Sequence, residues 1–234
     1  MAGIVARCIV AIICALPSPG QGAVGFPQDR KTAIDESRSR LIRDGVVLLD
    51  AAKDGYLSLD RMIPSPAGGC FVVVACGYEC NDNVGFLFRA DGSGKRKFTA
   101  RWDYILQAKV EWSANGRKLF YYRVNSTGAA SPANAPPEGW IELDLRTFRK
   151  SPGIDRELIA GADYAVFELS GEESLNVREK PTPRARIVGA VPAGGKGIRV
   201  TGPSVRLGRS RWVPVLYQDC AGWVNQRYLY REHP

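Results

Sequence analysis

The sequence predicts an all-β chain, with a small barrel at the C-terminus after a β-sandwich or partial propeller-like repeat domain. Two observations carry this. From Leu175 to Leu229 the chain runs in short apolar-alternating stretches, Leu175-Asn-Val-Arg178, Ile187-Val-Gly-Ala-Val191 and Arg211-Trp-Val-Pro-Val215 among them. Gly and Pro cut these stretches every several residues, which is the pattern of small antiparallel strands and not of helices. Between Val46 and Arg149 the pattern is again strand-like, and it contains an internal echo. Ser65-Pro-Ala-Gly-Gly-Cys-Phe-Val-Val-Val74 lines up, forty-eight residues on, with Ser113-Ala-Asn-Gly-Arg-Lys-Leu-Phe-Tyr-Tyr122.

Taken in order, residues 1–22 read as a secretory signal. Arg7 precedes Cys8-Ile-Val-Ala-Ile-Ile-Cys-Ala-Leu16, and Pro17-Ser-Pro-Gly-Gln-Gly22 follows with small residues suited to cleavage near Gly22. Nine apolar residues are too few for a span of about 20, so no stable membrane span is expected after cleavage; an uncleaved anchor is the alternative. Neither Ile13 before Cys14 nor Arg7 before Cys8 is the small residue that lipoprotein processing needs. The expected location is periplasmic or secreted.

Removing the signal leaves Cys70, Cys76, Cys80 and Cys220, an even number suited to an oxidising compartment. Three connectivities are open, with a local Cys76–Cys80 disulfide favoured because Cys76-Gly-Tyr-Glu-Cys80 falls where a hairpin loop is expected. One C-x3-C and a distant Cys make a poor metal ligand set.

Residues 23–45 are expected to be a linker with a short helix over Thr32–Arg43, where Ile34, Arg38, Leu41 and Ile42 share a helical face and Gly45 caps it. A β-repeat domain follows over 46–161. Each copy of the echo places a Gly turn before an apolar strand, then a second strand ending near an Asp and a basic cluster. These are Gly85–Asp91 before Lys95-Arg-Lys97, and Gly139–Asp144 before Arg149-Lys150. The Pro-rich stretch Asn125–Gly139 reads as a surface loop inserted in the second copy. Ser151-Pro-Gly interrupts the strands between Arg149 and Ala162, and Tyr164-Ala-Val-Phe-Glu-Leu169 opens the C-terminal domain, 162–234.

Two resemblances follow. Leu175-Asn-Val-Arg with Pro181 three residues after the Arg, then Val188-Gly-Ala-Val-Pro-Ala-Gly194, then Gly222-Trp-Val-Asn-Gln-Arg-Tyr-Leu229 fall in the order and spacing of the bacterial SH3 (SH3b) family, which residues 165–231 resemble. Glu111-Trp-Ser-Ala-Asn-Gly-Arg-Lys-Leu119 is similar to the turn of TolB-type (PD40, WD40-like) propeller blades, and residues 46–150 resemble that family more loosely. Ala114 and Asn115 stand where those blades carry Pro-Asp, and the first copy lacks the Trp. About two or three blades fit the length, whereas a propeller generally needs four or more. The SH3b resemblance implies recognition of peptide, often the peptide part of peptidoglycan or an envelope protein.

Residue sets for catalysis are mostly missing from the sequence. The one histidine, His233, is next to last, so neither a Cys-His pair nor a His-ligated zinc is on offer. Glu168, Glu172 and Glu173 flank the Ser170-Gly171 turn and read as solvated. Gly92-Ser-Gly94 and Gly194-Gly-Lys-Gly197 match no phosphate loop and read as hairpin turns. No enzyme activity, cofactor or metal is expected.

The candidate ligand-binding residues are Arg178, Trp212, Tyr217, Trp223, Tyr228 and Arg209. Flat rings beside polar loops give contact area at little entropic cost. Trp223 is expected in the core; Trp212 and Tyr217 share a face only if a bulge intervenes near Pro214. Arg178 points away from Leu175 and Val177, to bind a ligand carboxylate or to hold a neighbouring loop. The formal charge is +8, spread along the chain with one local concentration at Arg206, Arg209 and Arg211. That cluster reads as a solvated loop, with anionic polymer or phosphate head groups as the alternative. The expected function is an envelope binding protein that recognises peptide or peptidoglycan, not nucleic acid; the alternative is an assembly partner in an envelope complex.

Overall fold

A computed structural model describes residues 32–77, 83–100, 103–125, 138–153 and 156–231. The segment 1–31, Cys80, most of the Pro-rich loop (126–137) and His233 lie outside the described residues. The chain is all-β, as its alternating apolar pattern predicts, and it divides into two units. One runs to Glu138 and includes Leu143–Ser151; the other comprises Gly139–Glu142 and the chain from Pro152.

The first unit opens with a correction. Thr32–Arg43 is not a helix but an antiparallel pair, β1 (Thr32–Ile34) and β2 (Arg40–Arg43), continued by β3 (Val46–Asp50) in a three-stranded sheet of order β1-β2-β3. The turn chemistry of Asp35 overrides the helical spacing. Its carboxylate accepts from the backbone N–H of Ser39 at 2.8 Å and of Arg40 at 3.0 Å, and from the Ser37 hydroxyl at 2.9 Å. Short polar side chains that capture nearby backbone donors compete with helix in this way. Ile34 then pairs across from Leu41, and the same two apolar residues that suggested a helical face share a sheet face.

Two four-stranded sheets follow. The first, of order β4-β5-β6-β7, is built from β4 (Ser58–Pro64), β5 (Cys70–Cys76), β6 (Val84–Arg89) and β7 (Arg96–Lys97). The second, of order β11-β10-β9-β8, is built from β8 (Tyr104–Trp112), β9 (Lys118–Val124), β10 (Gly139–Asp144) and β11 (Lys150–Pro152). All seven residues of β5 are buried, as its unbroken apolar run requires of a strand covered on both faces. Phe71, Val73 and Ala75 pack with Leu41, Leu49, Leu59, Phe86 and Phe88 in one core.

The forty-eight-residue echo is a structural repeat. The Ser65 turn joins β4 to β5 and the Ser113 turn joins β8 to β9. In the first, the Gly68 N–H donates to the Ser65 carbonyl at 2.9 Å and the Ser65 N–H to the Cys70 carbonyl at 2.9 Å. In the second, Gly116 donates to Ser113 at 2.9 Å and Ser113 to Lys118 at 3.0 Å. Gly68 (φ 71°) and Gly116 (φ 66°) occupy the left-handed region that favours glycine. The turns also touch: a Cβ on Gly116 would stand 2.5 Å from Ser65 Oγ and 2.9 Å from Ala67 Cβ. The Trp112 indole N–H donates to the Ile63 carbonyl at 3.2 Å, tying β8 to β4.

The basic cluster after the first copy is held on rings. The Arg96 guanidinium lies 3.3 Å from the centre of the Phe148 ring and Lys97 Nζ 5.6 Å from that of Tyr56, while Lys95 Nζ donates to Asp54 at 2.8 Å. These cations cover aromatic surface.

The second unit carries an antiparallel sheet of β12 (Asp163–Val166), β13 (Ser174–Arg178), β14 (Ile187–Pro192), β15 (Ile198–Val200), β16 (Val205–Leu207), β17 (Ser210–Tyr217), β18 (Cys220–Asn225) and β19 (Leu229–Tyr230), with a 3-10 turn at Gln226–Tyr228. Its order is β14-β13-β18-β17-β15-β12-β19, and β16 pairs with β17 off that path. The expected small barrel does not close: β14 and β19 are the ends of the path. Leu175, Val177, Val191, Ile198, Val200, Val213, Val215, Val224 and Leu229 form the core.

Two glycines of the motifs that carry the SH3b resemblance have a packing reason. A Cβ on Gly222 would stand 2.6 Å from Val177 Cγ1 and 2.7 Å from the Arg178 carbonyl oxygen; one on Gly189 would stand 2.4 Å from Cys220 Sγ. Only glycine lets β18 approach β13 and β14 this closely.

Candidate functional site

Alternation along β17 sorts the candidate aromatics. Val213, Val215 and Tyr217 point into the core, so Trp212, Pro214 and Leu216 point to the other face. The register from Trp212 to Tyr217 against β18 is unbroken. No bulge intervenes at Pro214, and Trp212 and Tyr217 stand on opposite faces.

Pro214 is accommodated by a different device. Its carbonyl accepts from the Thr201 N–H at 2.9 Å, so its nitrogen faces the same side, toward the end of β15 and away from β18. A donor is missing there, and the β15–β17 ladder stops at Val200.

Across the outer face, Pro214 stands opposite Trp223 and Trp223 opposite Arg178, which places the three in one row over β17, β18 and β13. Trp223 is therefore not a core residue: Val224 beside it is, and Trp223 is half-buried on the outer face. Arg178 is half-buried and Nη1 donates to the Ala185 carbonyl at 2.7 Å, holding the 179–186 connection. Trp212, opposite Asn225 and next to this row, is 5% exposed. Its indole N–H is buried and has no acceptor among the described residues. A buried donor left unpaired costs on the order of 1–3 kcal/mol.

The remaining candidates do not join this face. Tyr217 and Tyr228 pack against the core, and the Arg227 guanidinium lies 5.1 Å from the centre of the Tyr228 ring. Arg209 is exposed in the Gly208-Arg209 turn between β16 and β17. The structure thus brings Arg178, Trp212 and Trp223 together, adds Pro214, and leaves Tyr217, Tyr228 and Arg209 elsewhere.

Among the cysteines, Cys70 and Cys76 stand at opposite ends of β5, about 20 Å apart at ~3.3 Å per residue, so they do not bond to each other. Cys220 is a free, half-buried thiol. Among the described residues no group of three or more His, Cys, Asp or Glu is placed to hold a metal ion.

Two buried polar clusters had no sequence signal. In the first unit Asp103, 3% exposed, accepts from the Tyr121 hydroxyl at 3.0 Å and pairs with Lys150. The partners come from before β8, from β9 and from β11, and only the strand order unites them. Burial, with the Asp103 carboxylate beside it, pushes the Tyr121 hydroxyl well above its ordinary range. The folded group then ionises later than the unfolded one, so its contribution is complete below about pH 10 and is lost as pH rises beyond it. Tyr121→Phe is expected to cost about 2 kcal/mol at neutral pH, a hydrogen bond to a charged acceptor. In urea titrations the gap between wild type and variant narrows above about pH 10.

In the second unit Arg156, 1% exposed, donates from Nη2 to the carbonyls of Gln226 at 2.9 Å and Leu229 at 2.5 Å. Its guanidinium lies 3.7 Å from the centre of the Trp140 ring, and Gln226 Nε2 donates back to the Arg156 carbonyl at 2.8 Å. Both clusters fix backbone. Neither lies on the outer face of the C-terminal sheet.

Compared with models of protein families and with curated proteins, the chain finds no match.

Proposed function

We propose that this is an exported, non-catalytic binding protein of the cell envelope whose C-terminal unit recognises peptide, in the envelope the peptide part of peptidoglycan. The observation that carries the reading is the outer-face row of Arg178, Trp223 and Pro214. Such a row offers flat apolar surface beside a cation, features that peptide-binding sheets use. Motif likeness to bacterial SH3 domains supports the same reading. In an oxidising compartment Cys76 would bond to Cys80 across the connection that follows β5.

Co-sedimentation with isolated peptidoglycan sacculi at low and moderate salt tests the proposal. Salt-resistant pelleting is expected, and Trp223→Ala is expected to weaken it about tenfold while the melting temperature stays within a few degrees. Pelleting that vanishes with salt would reduce the interaction to charge attraction and overturn the reading.

A second reading, an assembly partner in an envelope complex, is favoured by exposed apolar residues of the first unit: Val46 is 62% exposed and Leu57 59%. It predicts that Val46→Asp abolishes co-purification with an envelope protein and leaves sacculus binding untouched.

A further inference from the structure

We propose that the β16–β17 hairpin docks the protein on an anionic lipid surface. The stretch from Lys180 to Gln218 contains eight Lys and Arg and no Asp or Glu, as many positive charges as the formal net charge of the whole chain, +8. Outside the hairpin, two of those cations are paired with acids that lie beyond the stretch: Arg186 with Glu179 at 3.6 Å and Arg199 with Asp163 at 3.2 Å. Three others, Arg206, Arg209 and Arg211, fall within the hairpin.

Its register concentrates them. Arg206 stands directly opposite Arg211, with Arg209 in the turn between. Two guanidinium groups side by side on one ribbon match the charge of a surface rich in phosphates. The opposite face of the same ribbon carries Val205, 43% exposed, and Leu207, 47% exposed. Gly208, at φ 59°, makes the two-residue turn that holds the strands in this register.

The combination selects the partner. A charged polymer in water would use the arginines and leave Val205 and Leu207 wet; an apolar protein groove would use the aliphatic pair and strand the arginines. The interface of an anionic bilayer takes both at once, aliphatic side chains at the acyl boundary and guanidinium groups on the phosphates. Trp223 and Arg178 lie outside the hairpin, so their substitution should leave lipid docking unchanged.

The test is co-sedimentation of the full chain with vesicles of pure phosphatidylcholine and of phosphatidylcholine mixed equally with phosphatidylglycerol. The apolar segment 8–16 is common to every variant, so differences between variants report the hairpin. Pelleting with the mixed vesicles alone is expected. Arg209→Gln and Arg211→Gln should each lower partitioning about fivefold, and Leu207→Ser about tenfold, with melting temperatures unchanged for Arg209→Gln and Leu207→Ser, whose side chains are exposed. Equal pelleting with both vesicles, or none with either, would overturn the proposal. So would binding that loses affinity with the arginine variants but not with Leu207→Ser, and that inorganic polyphosphate matches, since that pattern describes a charged polymer.

Discussion

Arg156→Met is expected to lower the stability of the C-terminal unit by about 4 kcal/mol, within the range for breaking a buried charged network. Met has similar reach and fills much of the space, so the loss isolates the guanidinium. That group donates to the carbonyls of Gln226 and Leu229 and stacks on Trp140. Without it two carbonyls are left buried without those donors, each costing on the order of 1–3 kcal/mol. The 3-10 turn and β19 would lose their attachment first. Urea titration by tryptophan fluorescence measures the loss, and hydrogen exchange at residues 226–230 should show it locally. A loss under 1 kcal/mol would mean that water replaces the arginine and that the site is not dry.

Gly222→Ala is expected to cost about 3 kcal/mol although it adds a single methyl group. The added Cβ meets the Val177 side chain at 2.6 Å, which can give, and the Arg178 carbonyl oxygen at 2.7 Å, which is backbone and part of the β13 ladder. Overpacking of this kind forces backbone shifts worth about 1–3 kcal/mol, occasionally more. Adding Val177→Ala to Gly222→Ala should recover only part of the loss, because it clears the side chain and not the carbonyl. The same urea titration decides; full recovery in the double variant would place the strain on Val177 alone.

What could be read from the sequence depended on whether the signal was local. The Ser65 and Ser113 turns were legible because serine, a glycine three residues on and an apolar strand are consecutive, and the hydrogen bonds they make are also consecutive. The strand alternation of Leu175-Asn-Val-Arg178 was legible for the same reason. The helix over Thr32–Arg43 was a misreading of four apolar and basic positions that fit a 3.6-residue period, where the Asp35 carboxylate and the flanking serines decided for a turn. The facing of Trp212, Tyr217 and Trp223 depended on whether Pro214 inserts a bulge, and that is set by where β15 ends, a fact about a partner strand. Asp103, Tyr121 and Lys150 are spread over almost fifty residues, and Arg156 reaches carbonyls seventy residues away. No spacing rule marks such partners.

The strand orders have a kinetic consequence. In each of the three sheets of β1 to β11 every strand neighbour is also the next strand in sequence. Apart from β9 and β10, which the Pro-rich loop separates, their ladders close over short connections, which is entropically cheap and fast. The C-terminal sheet is different: β12 must wait for β19, pairing Ala165 with Tyr230 and Val166 with Leu229. As the chain is made from the N-terminal side, the early meanders can form hairpin by hairpin, whereas the C-terminal sheet stays incomplete until Leu229 and Tyr230 have appeared. A truncation that removes only residues 229–234 should therefore leave the first unit's folding rate unchanged and leave the second without its last strand.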